Sequence, residues 1–316
     1  MKVVRQIFSA SRKGQGIVAN IYSAAQALHR EERKGLTLIL AHANGFHKEL
    51  WEPTLERVLF HQSKTWYINR AIALDSYNHG DSAVLNRSHV EGEDFSPWSE
   101  NARDILSVIS QLDDPQNIIG IGHSWGASSL LLAEIMSPRT FSALIITDPV
   151  LFSGSAKSAA GLAALTLKRR HQWSSAQEAR QYFENHTFFR IWDKRVVDLH
   201  LKHGLEKEEA SGLLTLKCRP ANEAAVYLGS ADDSPFTTQN LWKVACPVAF
   251  LTGEKSDQSP PAHIKAITKP MAECQHVVMD NMGHLLLLED PDRTADWYIE
   301  FLDDFVSKPA VPTANL

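Results

Sequence analysis

Six short apolar segments alternate with helix-like segments along most of the chain. Strands of a parallel sheet have this composition, because helices cover both faces of such a sheet. The alternation therefore predicts an α/β domain with a mostly parallel central sheet and helices on both faces, and the first 30 residues are expected to add one or two antiparallel edge strands. The predicted strands are residues 36–41, 68–74, 117–121, 143–147, 248–252 and 276–279, and the predicted helices are roughly 48–60, 98–111, 125–137, 260–268 and 291–306.

One long segment, residues 151–235, interrupts this alternation because its pattern is helical throughout. Within it, Ser174 to Glu178 resembles a capping box that begins a helix, and residues 188–203 have helical spacing. The predicted division is a core of residues 1–150 and 236–308, an inserted helical cap of residues 151–235 and a flexible tail of residues 309–316. Aromatic residues of the cap either line a pocket or pack the cap against the core: Phe183, Phe188, Phe189, Trp192 and Tyr227.

The composition excludes several classes of protein. The 316 residues carry a formal net charge of -5, so a broad basic face for nucleic acid is not expected. The three cysteines have no metal-binding spacing, and nothing in the sequence implies a metal or an organic cofactor. No apolar run is long enough to span a membrane. The segment Met1–Gln6 lacks the apolar run of a signal peptide, so secretion is not expected.

The strongest chemical signal is Gly122-His123-Ser124-Trp125-Gly126, which fits Gly-x-Ser-x-Gly. The segment follows a predicted buried strand and precedes a helix rich in alanine and leucine, which is the context that this motif requires. Flanking glycines allow neighbouring backbone to pass close to the turn. The sequence therefore predicts that Ser124 is a nucleophile presented at the end of a strand.

A serine hydroxyl needs a base, and the candidate is His284, which follows the last predicted strand. The base needs a carboxylate in turn, and two aspartates compete for this role. Asp148 ends the strand after the nucleophile helix. Asp257 follows the later strand, which is the commoner position in the chain order Ser, Asp, His, but the usual Gly-x-x-Asp spacing from Gly253 falls on Ser256. We favour Asp148 and keep Asp257 as the alternative acid.

The early segment His42-Ala43-Asn44-Gly45-Phe46 predicts an oxyanion hole. It follows a strand and matches the His-Gly-x-type loop that supplies a backbone N–H group, although Ala43 stands where glycine is usual. The predicted donors are the N–H groups of Asn44 and Trp125. The segment from Asp75 to Ser82, after the next strand, is interpreted as a structural turn near the site.

Together these elements resemble the α/β-hydrolase superfamily over nearly the whole chain, with serine in place of the aspartate nucleophile of some members. A narrower resemblance rests on the run from His42 to Pro53, which reads His-Ala-Asn-Gly-Phe-His-Lys-Glu-Leu-Trp-Glu-Pro. It is similar to a run in fungal peroxisomal hydrolases of secondary metabolism, which include acyl-CoA hydrolases and toxin-biosynthesis hydrolases. That resemblance implies an acid at Asp148. It also implies a peroxisomal address in Ala314-Asn315-Leu316, with the cytoplasm as the alternative location.

The predicted function is a serine hydrolase that cleaves a small-molecule ester or thioester through an acyl-enzyme. An acyl-CoA thioester is the first choice, and the oligomeric state stays open. The run Lys168-Arg169-Arg170 is one candidate for the CoA phosphates, although a solvated helix face is the favoured interpretation of such a run. A carboxylesterase or lipase, and a C–C bond hydrolase or lactonase, are the alternatives. A non-catalytic binding protein is disfavoured because every member of the triad is present.

Overall fold

The computed structural model describes residues 1–24, 33–152 and 156–307. The strands of these residues are β1 (Lys2–Ser9), β2 (Gly16–Ser23), β3 (Lys34–Ala41), β4 (Trp66–Leu74), β5 (Ile118–His123), β6 (Ala143–Thr147), β7 (Gln172–Trp173), β8 (Leu205–Lys207), β9 (Leu214–Leu216), β10 (Val248–Gly253) and β11 (Cys274–Met279). Eight of them form the central sheet, in the order β1-β2-β4-β3-β5-β6-β10-β11. β1, β2 and β4 pair antiparallel, and the remaining neighbours pair parallel. All six predicted strands and the antiparallel edge are confirmed.

The central sheet is covered on both faces. Leu38 and Leu40 of β3 belong to one hydrophobic cluster, whereas Ile39 and Ala41 belong to a second. Consecutive side chains of a strand point to opposite faces, so the two clusters lie on opposite sides of the sheet. This arrangement explains why the predicted strands are apolar without polar alternation.

The helices begin and end close to the predicted positions. The described α-helices are α1 (Glu52–Phe60), α2 (Gly80–Leu85), α3 (Arg87–Val90), α4 (Trp98–Ser110), α5 (Trp125–Met136), α6 (Ala156–Thr166), α7 (Ala176–Asn185), α8 (Lys194–His203), α9 (Pro220–Leu228), α10 (Ser230–Gln239), α11 (Pro261–Ile267), α12 (Leu286–Glu289) and α13 (Pro291–Ser307). A 3₁₀ turn, Lys48–Trp51, precedes α1, and another, Leu241–Lys243, follows α10. All five helices predicted for the core are confirmed.

The segment between β6 and β10 contains α6 to α10, but it is not helical throughout. β7, β9 and β8 form a separate three-stranded antiparallel sheet. Two of these strands have three residues and one has two, which is too short for an alternating pattern to emerge from the sequence. The expectation of an entirely helical segment was therefore wrong in this part.

Two helix starts in this segment show how local capping works. Ser175 caps α7 by accepting a hydrogen bond from the backbone N–H of Glu178, as predicted, but the Glu178 carboxylate accepts from Ser174 instead of closing the box on Ser175. α8 begins at Lys194, later than the predicted residue 188. Asp193 accepts from the N–H of Arg195 and fixes that start.

None of the helices in the described ranges is both long enough and apolar enough to cross a membrane. The predicted flexible tail, including Ala314-Asn315-Leu316, lies outside the described residues.

Candidate active site

Ser124 lies on a tight turn between β5 and α5. Its backbone has φ 56°, a left-handed conformation that is uncommon for residues other than glycine. The two neighbouring glycines are required by close packing. A Cβ added at Gly122 would lie 2.5 Å from Cα of Ala127, and one at Gly126 would overlap the carbonyl oxygen of Ala41. The strand-turn-helix context predicted for the motif is therefore present.

The structure brings Ser124, His284 and Asp148 together in a chain of hydrogen bonds. His284 Nε2 lies 2.9 Å from Ser124 Oγ, and His284 Nδ1 lies 2.6 Å from Asp148 Oδ1. A carboxylate only accepts hydrogen bonds, so Nδ1 carries the ring proton and Nε2 is left to accept from the serine hydroxyl. His284 comes from the loop after β11, and Asp148 directly follows β6.

Asp148 is fully buried and is held by donors from the loop after β10. Gly253 N donates to Oδ2 at 2.8 Å, and Ser256 Oγ donates to Oδ1 at 2.6 Å. Ser256 occupies the position where the usual spacing would place the acid. Asp257 is exposed and accepts from Gln258 at 3.4 Å. Among the hydrogen bonds of the described residues, none joins Asp257 to His284.

His123, beside Ser124, contacts the backbone of His284 and was not predicted as a site residue from the sequence. It is buried, and its Nε2 donates to the carbonyl oxygen of His284 at 2.9 Å. Burial, together with the nearby His284 ring, lowers the pKa of His123 to about 3. A neutral His123 adds no charge beside His284. The only sequence signal was its position inside the Gly-x-Ser-x-Gly segment.

The predicted oxyanion loop lies beside Ser124. Trp125 is the first residue of α5, where backbone N–H groups have no partner within the helix. Asn44 and Trp125 line the same cavity as Ser124. The next residue in the loop, Gly45, has φ 83° and donates its N–H to His79 Nε2 at 2.9 Å. The loop is thereby tied to the turn that follows β4, as expected for a structural turn near the site.

A buried lysine cluster holds the end of this loop. Lys48 is 0 % exposed, and its Nζ lies 2.6 Å from Asp75, 2.8 Å from Glu49 and 2.9 Å from Asp81. Burial by itself lowers the pKa of Lys48, but the three carboxylates outweigh it and hold the pKa above its ordinary value. We call these four residues the Lys48 cluster. The sequence showed the run His47-Lys48-Glu49 but gave no sign that its charges are buried.

A cavity of about 290 Å³ opens above Ser124 and His284. Residues from the segment after β6 form its upper wall: Phe152, Ala159, Leu162, Arg169, Phe188, Glu223, Val226, Tyr227 and Ser230. Small-molecule sites are concave and mostly apolar, with a few polar groups, and this cavity has that character. Both interpretations of the aromatic residues hold in part. Phe188 and Tyr227 line the cavity, whereas Phe183, Phe189 and Trp192 belong to the buried core.

The basic run does not form a single charged patch. Arg169 turns inward and pairs with the buried Glu223 in the cavity wall. Arg170 pairs with Glu178 at the surface, and Lys168 is exposed. Two of the three cations suggested for the CoA phosphates are therefore engaged by carboxylates of the protein.

Comparison with known proteins identifies the family. Residues 38–297 match the alpha/beta hydrolase family. The peroxisomal membrane protein LPX1 of Saccharomyces cerevisiae is 26% identical over 322 residues, which cover 94% of this chain and 83% of LPX1. The type I acyl-CoA thioesterase mpaH of Penicillium brevicompactum is 32% identical over 182 residues, which cover 53% of this chain and 39% of mpaH.

Solved structures agree on the fold. The peroxisomal alpha-beta-hydrolase Lpx1 of Saccharomyces cerevisiae superposes with a TM-score of 0.83 at 23% identity and covers 100% of this chain and 93% of its own. The thioesterase domain from the curacin biosynthetic pathway superposes with a TM-score of 0.70 at 16% identity and covers 94% of this chain. The family match spans most of the chain, and the chain therefore belongs to the alpha/beta hydrolase family.

Proposed function

We propose that the protein is a serine hydrolase that cleaves an ester or thioester through an acyl-enzyme. The observation that carries this proposal is the hydrogen-bond chain from Asp148 through His284 to Ser124, which ends in a largely apolar cavity. A nucleophile, its base and the group that orients the base are the parts that acyl transfer requires.

In the proposed reaction, Ser124 Oγ attacks the carbonyl carbon of the substrate while its proton passes to His284 Nε2. Asp148 stabilises the imidazolium that forms. The carbonyl oxygen becomes an oxyanion, which accepts hydrogen bonds from the N–H groups of Asn44 and Trp125. The leaving thiolate or alkoxide takes the proton from His284. Water then attacks the acyl-serine with His284 again as base, which releases the acid and restores Ser124.

We assign the acid role to Asp148 rather than to Asp257. The support is geometric, since His284 Nδ1 lies 2.6 Å from Asp148 Oδ1. The hydroxyl of Ser256 and the N–H of Gly253 give the Asp148 carboxylate further donors, which favour its ionised form. Asp257 faces the cavity from its exposed rim.

We propose an acyl-CoA thioester of fungal secondary metabolism as the substrate. The similarity to the acyl-CoA thioesterase mpaH supports this choice. Under this proposal, residues 151–235 form a cap that covers the acyl group, and residues 1–150 and 236–308 form the core. α10 (Ser230–Gln239) runs across the proposed boundary, so the cap and the core share a helix there.

A carboxylesterase acting on uncharged esters is the second candidate. It is favoured by the pairing of Arg169 with Glu223 and of Arg170 with Glu178, which leaves only Lys168 of the basic run available for CoA phosphates.

The test compares two kinds of substrate. Thiol release from a panel of acyl-CoAs is measured beside hydrolysis of p-nitrophenyl esters with matched acyl chains, and Ser124→Ala is the control. Turnover of acyl-CoAs with slower ester hydrolysis supports the thioesterase. Turnover of esters alone favours the carboxylesterase. No turnover of either, with no labelling by a fluorophosphonate, contradicts the serine-hydrolase proposal.

We also propose a peroxisomal location, with the cytoplasm as the alternative. The similarity to yeast LPX1, which is named as a peroxisomal protein, and the tail Ala314-Asn315-Leu316 support it. A fluorescent protein fused to the N-terminus is expected to coincide with a peroxisomal marker in fungal cells and to become diffuse when the last three residues are deleted. Diffuse fluorescence of the intact fusion would contradict this location.

A further inference from the structure

A buried ion pair in the cap packs against the loop that carries Asn44. Glu223, on α9, is 4 % exposed, and its carboxylate accepts hydrogen bonds from both terminal nitrogens of Arg169. The backbone oxygen of Glu223 accepts from Asn44 Nδ2 at 3.0 Å. A Cβ added at Gly45 would lie 2.8 Å from the carboxyl carbon of Glu223, so the carboxylate lies directly on the α-carbon of Gly45.

This contact is fixed from both sides. Gly45 has φ 83°, a conformation that glycine adopts without strain, and it has no side chain that would push Glu223 away. The preceding residue of α9, Asn222, donates its side-chain amide to the carbonyl oxygen of Asn78 at 3.0 Å. The first turn of α9 is thus anchored to two loops of the core, and the carboxylate of Glu223 is held next to the predicted oxyanion loop.

The charge of Glu223 matters at this position. An oxyanion that forms at the N–H of Asn44 would be repelled by the negative charge of Glu223, whose carboxylate packs on the next residue, Gly45. This repulsion is stronger in a buried site than in water. Arg169 removes this problem, because its guanidinium neutralises Glu223. The Arg169 side chain is 27 % exposed and lines the same cavity as Ser124. Burial raises the pKa of Glu223, and Arg169 opposes that shift.

We propose that Glu223 and Arg169 are positioning residues of the reaction: Glu223 holds the Asn44–Gly45 loop in place, and Arg169 cancels the charge that would otherwise oppose the oxyanion. This inference rests on the proposed function, in which the N–H of Asn44 binds the oxyanion. It gives the cap a part in the chemical step as well as in covering the acyl group.

The test uses five variants of the full chain: Arg169→Met, Arg169→Lys, Glu223→Gln, the double variant of Arg169→Met with Glu223→Gln, and Arg170→Met as the matched control. Arg170 is the neighbouring arginine, and it pairs with a surface glutamate outside the cavity. For each variant, kcat and KM are measured on the best substrate of the parent, together with the rate of fluorophosphonate labelling and the melting temperature.

At a pH where Glu223 is ionised, Arg169→Met is expected to lower kcat by about tenfold to a hundredfold with KM within about threefold, because the unpaired carboxylate acts on the transition state. Without Arg169 the pKa of Glu223 rises further, so this loss is expected to shrink as the pH is lowered and Glu223 takes up a proton. Adding Glu223→Gln to this variant is expected to recover most of the loss, although it removes a second polar group. Labelling rates should follow kcat, and Arg170→Met should match the parent. Arg169→Lys loses the two-pronged hydrogen bonding to Glu223 but keeps the positive charge, which is the feature that the inference requires, so it is expected to retain kcat within about fivefold. It preserves a test if the methionine variant does not fold.

Three results would overturn the inference. A double variant no more active than Arg169→Met would mean that the pair only stabilises the cap. A raised KM with unchanged kcat in Arg169→Met would mean that Arg169 binds the substrate. A folded Arg169→Lys that has lost more than about tenfold in kcat would show that the charge alone is not the reason. A parent protein that hydrolyses nothing and resists labelling would instead overturn the proposed function itself, and this inference with it.

Discussion

Two ion clusters adjoin the loop that carries Asn44. The first is the Lys48 cluster of Lys48, Glu49, Asp75 and Asp81, and the second is the pair of Arg169 and Glu223. Lys48 is 0 % exposed and is not among the described residues that line the cavity above Ser124, whereas the Arg169 side chain is 27 % exposed and lines that cavity. Buried charges cost free energy unless they are paired, and both clusters are paired. The difference lies in what each one contacts: Lys48 is enclosed by protein, whereas Arg169 and Glu223 line the cavity that also contains Ser124.

This comparison teaches that burial alone does not assign a role. Buried charges that do not line the cavity are expected to affect activity only by stabilising the fold. The exception is a buried charge that is hydrogen-bonded to a side chain of the cavity. Asp148 belongs to neither cluster and shows this exception for a single buried charge, since it is fully buried and hydrogen-bonded to His284. Four predictions test this distinction, beginning with the largest expected effect.

The two candidate acids should behave in opposite ways. Asp148→Asn is expected to lower kcat by about 10⁴-fold, because His284 loses the carboxylate that fixes its tautomer and stabilises its cation. Asp257→Asn is the matched control and is expected to change kcat by less than about twofold, since Asp257 is exposed at the cavity rim. Steady-state kinetics on the parent's best substrate measure both. The reverse result would assign the acid role to Asp257 and would contradict the role of Asp148.

Replacing Lys48 in the Lys48 cluster is expected to change the free energy of unfolding rather than kcat. Lys48→Met is expected to lower the free energy of unfolding by about 3–5 kcal/mol, because the buried carboxylates of Asp75 and Glu49 lose their shared lysine. Asp81 is partly exposed and keeps its pair with Lys217. Urea unfolding measures this change, and kcat per folded molecule is expected to stay within about threefold of the parent. Arg57→Met, which breaks an exposed pair with Asp296, is the control and should leave the midpoint nearly unchanged. A stable Lys48→Met variant with a large loss of kcat would contradict the distinction between the Lys48 cluster and the pair of Arg169 and Glu223.

A smaller effect is expected where a hydrogen bond supports Asp148. Ser256→Ala removes the hydroxyl that lies 2.6 Å from Asp148 Oδ1. We expect kcat to fall by about tenfold, which is the usual size of the effect for one hydrogen bond to a charged group. Activity equal to the parent's would show that the backbone N–H of Gly253 holds the carboxylate well enough without the hydroxyl.

The smallest effect is expected at a helix start in the cap. Ser175→Ala removes the side-chain oxygen that accepts from the N–H of Glu178. The loss should be about 1 kcal/mol in the free energy of unfolding, with kcat and KM unchanged, because none of the residues that line the cavity above Ser124 belongs to α7. Thermal unfolding and one kinetic assay are sufficient. A change in kcat would mean that the cap is coupled to the site more widely than through Arg169 and Glu223.

Most of the core was predictable from the sequence, and the segment after β6 was predictable only in part. Apolar runs mark strands that are buried on both faces, so β3 to β6, β10 and β11 were all predicted. The short strands β7, β8 and β9 were not, since two or three residues carry no periodic pattern. The start of α8 was placed too early because Phe189 and Trp192, in the turn before it, continue the helical spacing of the apolar residues of the helix.

The sequence by itself determined the strand order along the chain, the tight turn at Ser124 and the glycines that this turn needs, because each depends on a few neighbouring residues. Only the tertiary structure decided which carboxylate reaches His284. Asp148 and Ser256 lie 108 positions apart, and they meet because β6 and β10 are adjacent and parallel in the sheet. Arg169 and Glu223 are likewise distant in the chain and meet only in the tertiary structure. Local patterns report local geometry, whereas contacts between distant side chains depend on which elements pack together.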